Sequence, residues 1–247
     1  MALFVIIFGL VVGSFLNAVI YRLHSGDSIA SGRSLCPHCG HRLVARDLIP
    51  LLSFIWLFGR CRFCGQKISW QYPAIEALTA GIFVLLYLKF GSSLELAIAM
   101  FFASSLIVIA VFDFKHYLIL DKVLLPVGAA AIIWNFFGDS LVPGLVSGLG
   151  LALFFGLQYV LSRGRWIGLG DVKLGFVLGN ILLWPLSLCM LMLAYFSGAV
   201  VGILLMALGK KQMSSRLPFG SFLAFSAIIT MLWGDKIVAW YSGLIGL

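Results

Sequence analysis

Two aspartates stand where apolar stretches meet polar loops, and their side chains are candidates for chemistry. Asp113 ends a long apolar run, and Asp171 lies shortly before another, in Gly168-Leu169-Gly170-Asp171-Val172-Lys173-Leu174. An ionised carboxylate is costly at membrane depth, so an acid kept at such a boundary is a functional candidate. Two such acids facing one compartment suggest an aspartyl protease. This interpretation requires that the apolar stretches cross a bilayer and that both acids lie on the same side.

Peptide hydrolysis by two carboxylates requires one ionised and one protonated group. The ionised group takes a proton from water, while the protonated group gives one to the carbonyl of the bond to be cut. Close carboxylates share a proton because both cannot easily ionise, and their titrations are coupled. This chemistry needs no metal and no nucleophilic Ser or Cys. The alternative for a lone Asp at the end of a span is a solvated terminus or helix cap, which we keep for Asp121.

The residues around Asp171 are candidates for support of the site. Gly168 and Gly170 allow backbone to approach a partner or a substrate closely. Lys173 either tunes Asp171 electrostatically or extends its aliphatic stem along the membrane. The start of the following helix favours the negative charge of Asp171. Elsewhere, Asn17 is expected to make an interhelical hydrogen bond.

The composition indicates a membrane protein. The chain of 247 residues is 62% hydrophobic and 11% charged, with a mean hydropathy of +1.10. Bilayer-spanning helices need about 20 apolar residues each, whereas a soluble domain of this length has no use for so much apolar surface. The formal net charge of +8 could indicate nucleic-acid binding. The distribution of the basic residues explains that charge better, so we predict a lipid bilayer and no nucleic acid as a partner.

We predict an all-α polytopic membrane protein with about eight transmembrane helices. The predicted spans are 2–21, 73–90, 94–112, 123–137, 141–161, 172–186, 188–208 and 217–234. The fourth and sixth are short for a full crossing, and residues 237–247 are apolar but too short to span. The first stretch has neither a preceding basic residue nor a clear cleavage site, so we interpret it as a retained span.

The basic residues predict the topology. With the N-terminus outside, the inside loops are 22–72, 113–122, 162–173 and 209–216, and they hold 15 of the 17 Lys and Arg residues. Only Lys89 and Lys236 fall outside, as the positive-inside rule requires. Two spans separate Asp113 from Asp171, so both acids are placed on the cytoplasmic face.

The first inside loop carries four of the five cysteines, in two C-x-x-C turns: Cys36-Pro37-His38-Cys39 and Cys61-Arg62-Phe63-Cys64. Each turn directs two sulfurs to one side and is followed by Gly, which allows a tight backbone. Two such turns form a tetrahedral four-cysteine zinc site, with a spacing close to that of zinc ribbons. A closed site of this kind is structural and stabilises a small loop. Disulfides, which the reducing cytoplasm disfavours, and redox C-x-x-C chemistry are the alternatives.

These observations divide the chain into three predicted parts. A first transmembrane helix covers 1–21, a cytoplasmic tetracysteine zinc-binding domain covers 22–72, and a transmembrane aspartyl protease domain covers 73–247. The small cytoplasmic part is expected to be zinc-ribbon-like.

Five segments, in order along nearly the whole chain, resemble the type IV prepilin peptidases, also called prepilin leader peptidase/N-methyltransferases. They are similar to the family's opening segment, its cysteine-bearing loop, its Y-P-x-x-E entry to the second span, its G-x-G-D-x-K-L signature and a late motif. Here these are residues 13–23, residues 47–54 with Gly59-Arg60-Cys61, Tyr72-Pro73-Ala74-Ile75-Glu76, residues 168–174, and Pro218-Phe219-Gly220-Ser221-Phe222. A G-x-G-D motif alone also occurs in presenilin-like proteases, but the ordered set is specific.

The resemblance implies that Asp113 and Asp171 are catalytic. It implies cleavage of type IV prepilins and type II secretion pseudopilins after the Gly that ends a short basic leader, on the cytoplasmic side of the bacterial inner membrane. Members with the four-cysteine loop often also methylate the new N-terminus with S-adenosylmethionine, which here rests on the resemblance alone. Two positions depart from the family: Leu120 stands where Pro is usual, and Arg165 where Glu is frequent.

Two other classes of function remain open at this point. A proton- or cation-coupled transporter would use the same membrane acids to bind ions, although no inverted repeat is evident. A non-enzymatic assembly factor of the pilus machinery would tolerate Asp113→Asn. The sequence makes no prediction of the oligomeric state.

Overall fold

The structure is a computed structural model that describes residues 1–29, 34–209 and 217–245. Within these ranges the chain forms nine α-helices and one short 3₁₀ helix, Ala45–Leu48, and no β-strand, which confirms the all-α prediction. The α-helices are α1 Ala2–Ser25, α2 Leu52–Trp56, α3 Gln71–Phe90, α4 Leu94–His116, α5 Asp121–Phe137, α6 Leu141–Ser162, α7 Leu169–Leu182, α8 Leu186–Ala207 and α9 Phe219–Ile245.

The helices other than α2 correspond one to one to the eight predicted spans. Six of them are long and apolar enough to cross a membrane: α1, α3, α4, α6, α8 and α9. The other two, α5 with 17 residues and α7 with 14, are shorter than a full crossing. The chain is therefore a multi-pass membrane protein whose span count of about eight is approximate.

Four helices end at least four residues away from the end of the predicted span. α1 continues to Ser25 rather than 21, and α4 continues to His116 rather than 112, so Asp113 lies within the helix. α7 ends at Leu182 rather than near 186, because Leu183 takes a left-handed φ of 58° and Pro185 then caps α8. α9 runs without a break to Ile245, so the apolar residues 237–245 continue this helix. Four of the basic residues on which the predicted topology depends lie outside the described residues: Arg33, Lys210, Lys211 and Arg216.

The chain separates into two compact units, Met1–Ser104 and Ser105–Leu247, and the division falls within α4. In the first unit, α1 packs closely along α3. A Cβ atom added at Gly9 would lie 2.6 Å from the Cα of Ala80, and one added at Gly13 would lie 2.7 Å from the Cα of Glu76. The two backbones can approach this closely only because α1 presents glycines to α3.

Polar side chains join α1 and α3 near the C-terminal end of α1. Asn17 is buried and donates from Nδ2 to the carbonyl oxygen of Tyr72 at 3.1 Å, while its Oδ1 accepts from Gln71 at 3.2 Å. The interhelical hydrogen bonding predicted for Asn17 is confirmed. Buried Glu76 accepts the backbone N–H of Leu51 at 2.8 Å, which holds the segment before α2 against α3.

In the second unit, α6 and α7 make a similarly close contact. A Cβ atom added at Gly179 of α7 would lie 2.6 Å from the Cα of Gly148 on α6. Buried Asn135 of α5 donates to the carbonyl oxygen of Asn180 at 2.8 Å, which adds α5 to the pair. Interhelical hydrogen bonds of this kind stabilise packing in a membrane. The helix that carries Asp171 is thus held between two neighbours.

Candidate active site

Asp113 lies in the last turn of α4 and is only 5% exposed. Its Oδ2 accepts two hydrogen bonds from Ser221, one from the backbone N–H at 2.7 Å and one from the hydroxyl at 3.0 Å. Ser221 is the third residue of α9, where backbone N–H groups have no partner within the helix. The N-terminus of α9 therefore supplies Asp113 with a donor and with a favourable helix dipole.

The hydroxyl of Ser221 has a second acceptor within reach. Its Oγ lies 2.9 Å from the carbonyl oxygen of Ala110, one turn before Asp113 on α4. A hydroxyl has one proton and donates to one acceptor at a time. It can donate to Asp113 when that carboxyl is ionised, and it can turn to Ala110 and accept from Asp113 when that carboxyl is protonated. The arrangement thus accommodates both protonation states that two-carboxylate hydrolysis requires.

Asp171 lies in the first turn of α7 and is 9% exposed. Its Oδ2 accepts the backbone N–H of Gly168 at 3.0 Å, while its own backbone N–H donates to the carbonyl oxygen of Gly168 at 3.1 Å. This reciprocal pair caps the helix, because the side chain satisfies a donor that the helix cannot. The carboxylate of Asp171 is thereby fixed by the glycine that precedes it by three residues.

The fold brings together, within the second unit, the two turns that anchor the predicted acids: the side chain of Ile119 contacts both Gly170, which precedes Asp171, and Gly220, which precedes Ser221. The charge of Asp113 acts on Asp171, so the two carboxylates repel each other when both are ionised. Among the hydrogen bonds of the described residues, none involves Oδ1 of either acid. Each carboxylate is therefore anchored through Oδ2 by the N-terminal turn of a helix.

Ile119 packs between the backbone segments that flank the acids. It lies in the connection from α4 to α5 and is half-buried. A Cβ atom added at Gly170 would lie 3.1 Å from the Cβ of Ile119, and one added at Gly220 would lie 2.8 Å from its Cδ1. We expected the backbone at Gly170 to approach a partner closely, and that partner is the side chain of Ile119 in the α4–α5 connection.

The ammonium group of Lys173 bonds to Asp121 rather than to Asp171. Its Nζ lies 2.9 Å and 2.8 Å from the two carboxylate oxygens of Asp121, and both side chains are about half exposed. Asp121 is the first residue of α5, so this ion pair joins the starts of α5 and α7. Support of the active site by Lys173 stays a prediction, with Asp121 as the contact through which it would act.

The four cysteines of residues 22–72 come together as a candidate metal centre. Their Sγ atoms all lie within 4.8 Å of one another; the residues are Cys36, Cys39, Cys61 and Cys64. The two turns repeat one geometry: the N–H of Gly40 donates to the carbonyl of Cys36, and that of Gly65 to the carbonyl of Cys61, both at 2.9 Å. These glycines have φ angles of 67° and 71°, which other residues rarely adopt.

The chemistry of this cluster fits zinc. None of the four thiols is in a disulfide, and one cysteine of each turn is buried while the other is exposed. Burial raises the pKa of Cys36, but hydrogen bonds from the backbone of Cys39 and His38 and from neighbouring thiols lower it to about 7. The backbone of Gln66 lowers the pKa of Cys64, but burial and the other three thiols raise it to about 11, so Cys36 loses its proton more easily than Cys64. A thiolate is the form that binds a metal, and four sulfurs at this spacing suit a closed tetrahedral Zn²⁺ site.

Sequence reasoning did not assign roles to Ser221 and Ile119. Ser221 lies in the motif at residues 218–222, which resembles a family motif but predicted no role for any of its residues. It is also 108 residues from Asp113. One of its two hydrogen bonds to Asp113 comes from the backbone N–H, which nearly every residue type has, so the sequence does not indicate it. The sequence signal for Ile119 is the pair of glycines that it contacts, because the lack of a side chain at both positions leaves the space that Ile119 fills.

Comparisons with known proteins cover nearly the whole chain. Residues 7–90 match the family model described as the bacterial peptidase A24 N-terminal domain, and residues 100–203 match the model of the type IV leader peptidase family. No solved structure gives a significant match.

Three relatives show the extent of the similarity, and each is named a prepilin leader peptidase/N-methyltransferase. The Bacillus subtilis (strain 168) protein is 36% identical over 238 residues, covering 95% of both chains. The Aeromonas hydrophila protein is 32% identical, over 96% of this chain and 92% of its own. The Pseudomonas putida protein is 31% identical, over 97% and 93%.

Proposed function

Because the chain belongs to the type IV leader peptidase family, a family of aspartic proteases, we propose that it removes the leader from type IV prepilins with Asp113 and Asp171 as its catalytic carboxylates. The observation that carries this proposal is the pair of buried acids on α4 and α7, which interact electrostatically and are each anchored through Oδ2. Family membership favours a peptidase over the transporter and the assembly factor.

The mechanism follows from the shared proton of two close carboxylates. A water molecule held between the acids gives a proton to the ionised carboxylate, and its oxygen attacks the carbonyl carbon of the scissile peptide bond. The protonated carboxyl donates to the carbonyl oxygen, which produces a tetrahedral intermediate. Collapse of the intermediate breaks the C–N bond, and a proton passes to the leaving nitrogen. The hydrogen bonds from Ser221 and Gly168 keep both carboxylates oriented throughout these steps.

We place the reaction at the cytoplasmic face of the bacterial inner membrane. The N-terminus is then outside, and the cut follows the Gly that ends a basic leader. This orientation is supported by the 15 basic residues that fall in the predicted inside loops. The apolar helix of the substrate lies in the bilayer while its leader reaches the cytoplasm. Type II secretion pseudopilins, which share this organisation, are included among the proposed substrates.

We assign a structural role to the four-cysteine centre and a second activity to the chain. Zinc bound by Cys36, Cys39, Cys61 and Cys64 would hold the two turns together and order the loop. Methylation of the new N-terminus by S-adenosylmethionine is proposed from the relatives' names. The described residues contain no glycine-rich turn between a strand and a helix, so none of them is assigned to that cofactor.

Single replacement of each acid tests the peptidase proposal. The purified full-length protein is incubated in lipid with a prepilin, and the products are identified by mass spectrometry. Asp113→Asn and Asp171→Asn should each abolish cleavage while the protein still inserts and purifies normally. Asp139→Asn is the matched control, because Asp139 is an exposed loop acid with φ of 54°, which Asn tolerates. Normal cleavage by either active-site variant would refute the assignment.

A further inference from the structure

We propose that an exposed apolar patch beside the second cysteine turn inserts into the membrane leaflet that α3 enters, next to anionic lipid headgroups. The patch is formed by side chains of α2 and of the residues that flank this turn: Leu52, Ile55, Trp56, Phe58 and Trp70. We call this set the anchor patch. It lies within the first compact unit, and the inference does not depend on the proposed function.

The side chains of the anchor patch are unusually exposed for apolar residues outside a membrane span. Phe58 is 90% exposed, Trp56 65% and Ile55 63%. Within α2, Leu52, Ile55 and Trp56 are spaced by three and four residues, so they share one face of the helix. Phe54, on another face, packs over Gly59 instead. An outward apolar face of this kind indicates an interaction surface.

The length of α3 determines where its first turn lies in a bilayer. α3 has 20 residues, and at about 1.5 Å per residue this length matches the hydrocarbon thickness of roughly 30 Å. Its first turn, which begins at Gln71, therefore lies at the edge of the hydrocarbon region. Trp70 directly precedes this turn and is exposed, and tryptophan is enriched at that boundary.

Two contacts hold α2 at the same depth. The backbone N–H of Leu51, directly before α2, donates to Oε2 of Glu76 at 2.8 Å. Glu76 lies about 7.5 Å along α3 from Gln71, and its side chain leans toward the start of that helix. The rings of Phe54 and Trp70 also pack together, with centroids 4.9 Å apart. α2 is therefore level with the first turns of α3, where its apolar face can enter the acyl chains.

The charge of this segment complements anionic headgroups. Residues 34–70 contain five basic residues and one acid, Asp47, whose side chain is buried and paired with Arg62 at 3.0 Å. Arg60 and Lys67 are exposed and lie opposite each other across an antiparallel β-bridge at the base of the second cysteine turn. Basic residues beside an apolar face are typical of segments that lie in the membrane interface and attract anionic lipids.

Photo-crosslinking from the anchor patch tests the proposal. The full-length protein is reconstituted in vesicles of phosphatidylglycerol and phosphatidylcholine in equal amounts, with p-benzoylphenylalanine in place of Phe58 or, in a second variant, of Ile55. Irradiation should give adducts with lipid acyl chains, which are identified by mass spectrometry. Phe63 is the matched control position, because its exposed ring stacks on His41 at 3.6 Å and its probe should give few lipid adducts.

The identity of the adducts measures the preference for charge. Phosphatidylglycerol adducts from the probe at Phe58 should exceed phosphatidylcholine adducts roughly fivefold, the preference that one basic residue near an anionic surface supplies. Arg60→Gln combined with Lys67→Gln should lower this ratio, because both cations beside the patch are removed. Lys236→Gln, which removes an exposed charge from α9, should leave the ratio unchanged.

Several results would overturn the proposal. Crosslinks between two copies of the chain would show that the patch is a protein interface, and the absence of any adduct would show that it faces water. Lipid adducts at Phe63 as abundant as those at Phe58 would show that the patch is not the part that inserts. Equal recovery of the two lipids would overturn the role of Arg60 and Lys67. If the Phe58 variant does not purify, the variant at Ile55 decides.

Discussion

Removal of the Ser221 hydroxyl is the most informative single change in the active site. Ser221→Ala deletes the hydrogen bond of 3.0 Å to Oδ2 of Asp113 but retains the backbone N–H bond of 2.7 Å to the same atom. A buried hydrogen bond to a charged group contributes about 1.5–3 kcal/mol. If that contribution is made in the transition state, its loss slows cleavage roughly 10- to 150-fold. Because the backbone donor remains, we expect a loss of about tenfold.

The effect of this change should appear in kcat rather than in KM. Ser221 contacts the carboxylate that performs chemistry, so its hydroxyl contributes to the transition state more than to substrate binding. Initial rates of prepilin cleavage by the full-length protein in lipid give both constants. Ser221→Thr keeps a hydroxyl and should recover part of the lost kcat. Ser226→Ala, the same substitution at another buried serine of α9, is the control and should cleave at the wild-type rate.

Two results would refute this reasoning. Wild-type kcat in Ser221→Ala, with no cleavage by Asp113→Asn in the same assay, would show that the hydroxyl does not assist the carboxylate. A raised KM at constant kcat would mean that Ser221 acts in substrate binding instead.

Three further predictions concern the metal centre and the helix packing. The purified wild-type protein should contain about one zinc per chain, and Cys61→Ser should lower that content in metal analysis; an equal zinc content in both would argue against the cluster. Gly148→Ala should lower the thermal unfolding midpoint, with a cost of about 1–3 kcal/mol from overpacking, because its Cβ would lie 2.7 Å from a backbone oxygen of α7. Gly150→Ala, on the same helix but facing open space, is the control, and an equal loss there would contradict the packing argument. Lys173→Ala should change the same midpoint little, since exposed ion pairs such as that with Asp121 contribute about 0–1 kcal/mol; a large drop would show that the pair matters more to the fold.

The main features of the fold could be predicted because they depend on local sequence. Apolar runs of about 20 residues are directly visible, and a lone acid such as Asp171 at the end of one is conspicuous. The two C-x-x-C turns carry their ligands at fixed spacing, so their clustering followed from the pattern. Helix boundaries cannot be predicted where a turn interrupts apolar residues, as after Leu182, because hydropathy does not distinguish a break from a continuing helix.

The parts of the site that escaped prediction depend on contacts between distant segments. Ser221 and Asp113 are 108 residues apart, and nothing in either local sequence indicates the other. The sequence of the α4–α5 connection, which carries Ile119, is typical of an ordinary apolar loop. Its packing against Gly170 and Gly220 depends on how three helix ends converge, which periodicity and composition do not specify.

The close pairing of α1 and α3 changes how the cysteine segment between Ser25 and Gln71 can fold. Bringing together the ends of a free loop of this length costs on the order of 3 kcal/mol of chain entropy. Here the two membrane helices already hold those ends together through Gly9 and Gly13, so a bound metal need not supply that free energy. The excised segment should therefore bind zinc more weakly than the intact protein, and its affinity in isolation would understate that of the centre in the membrane.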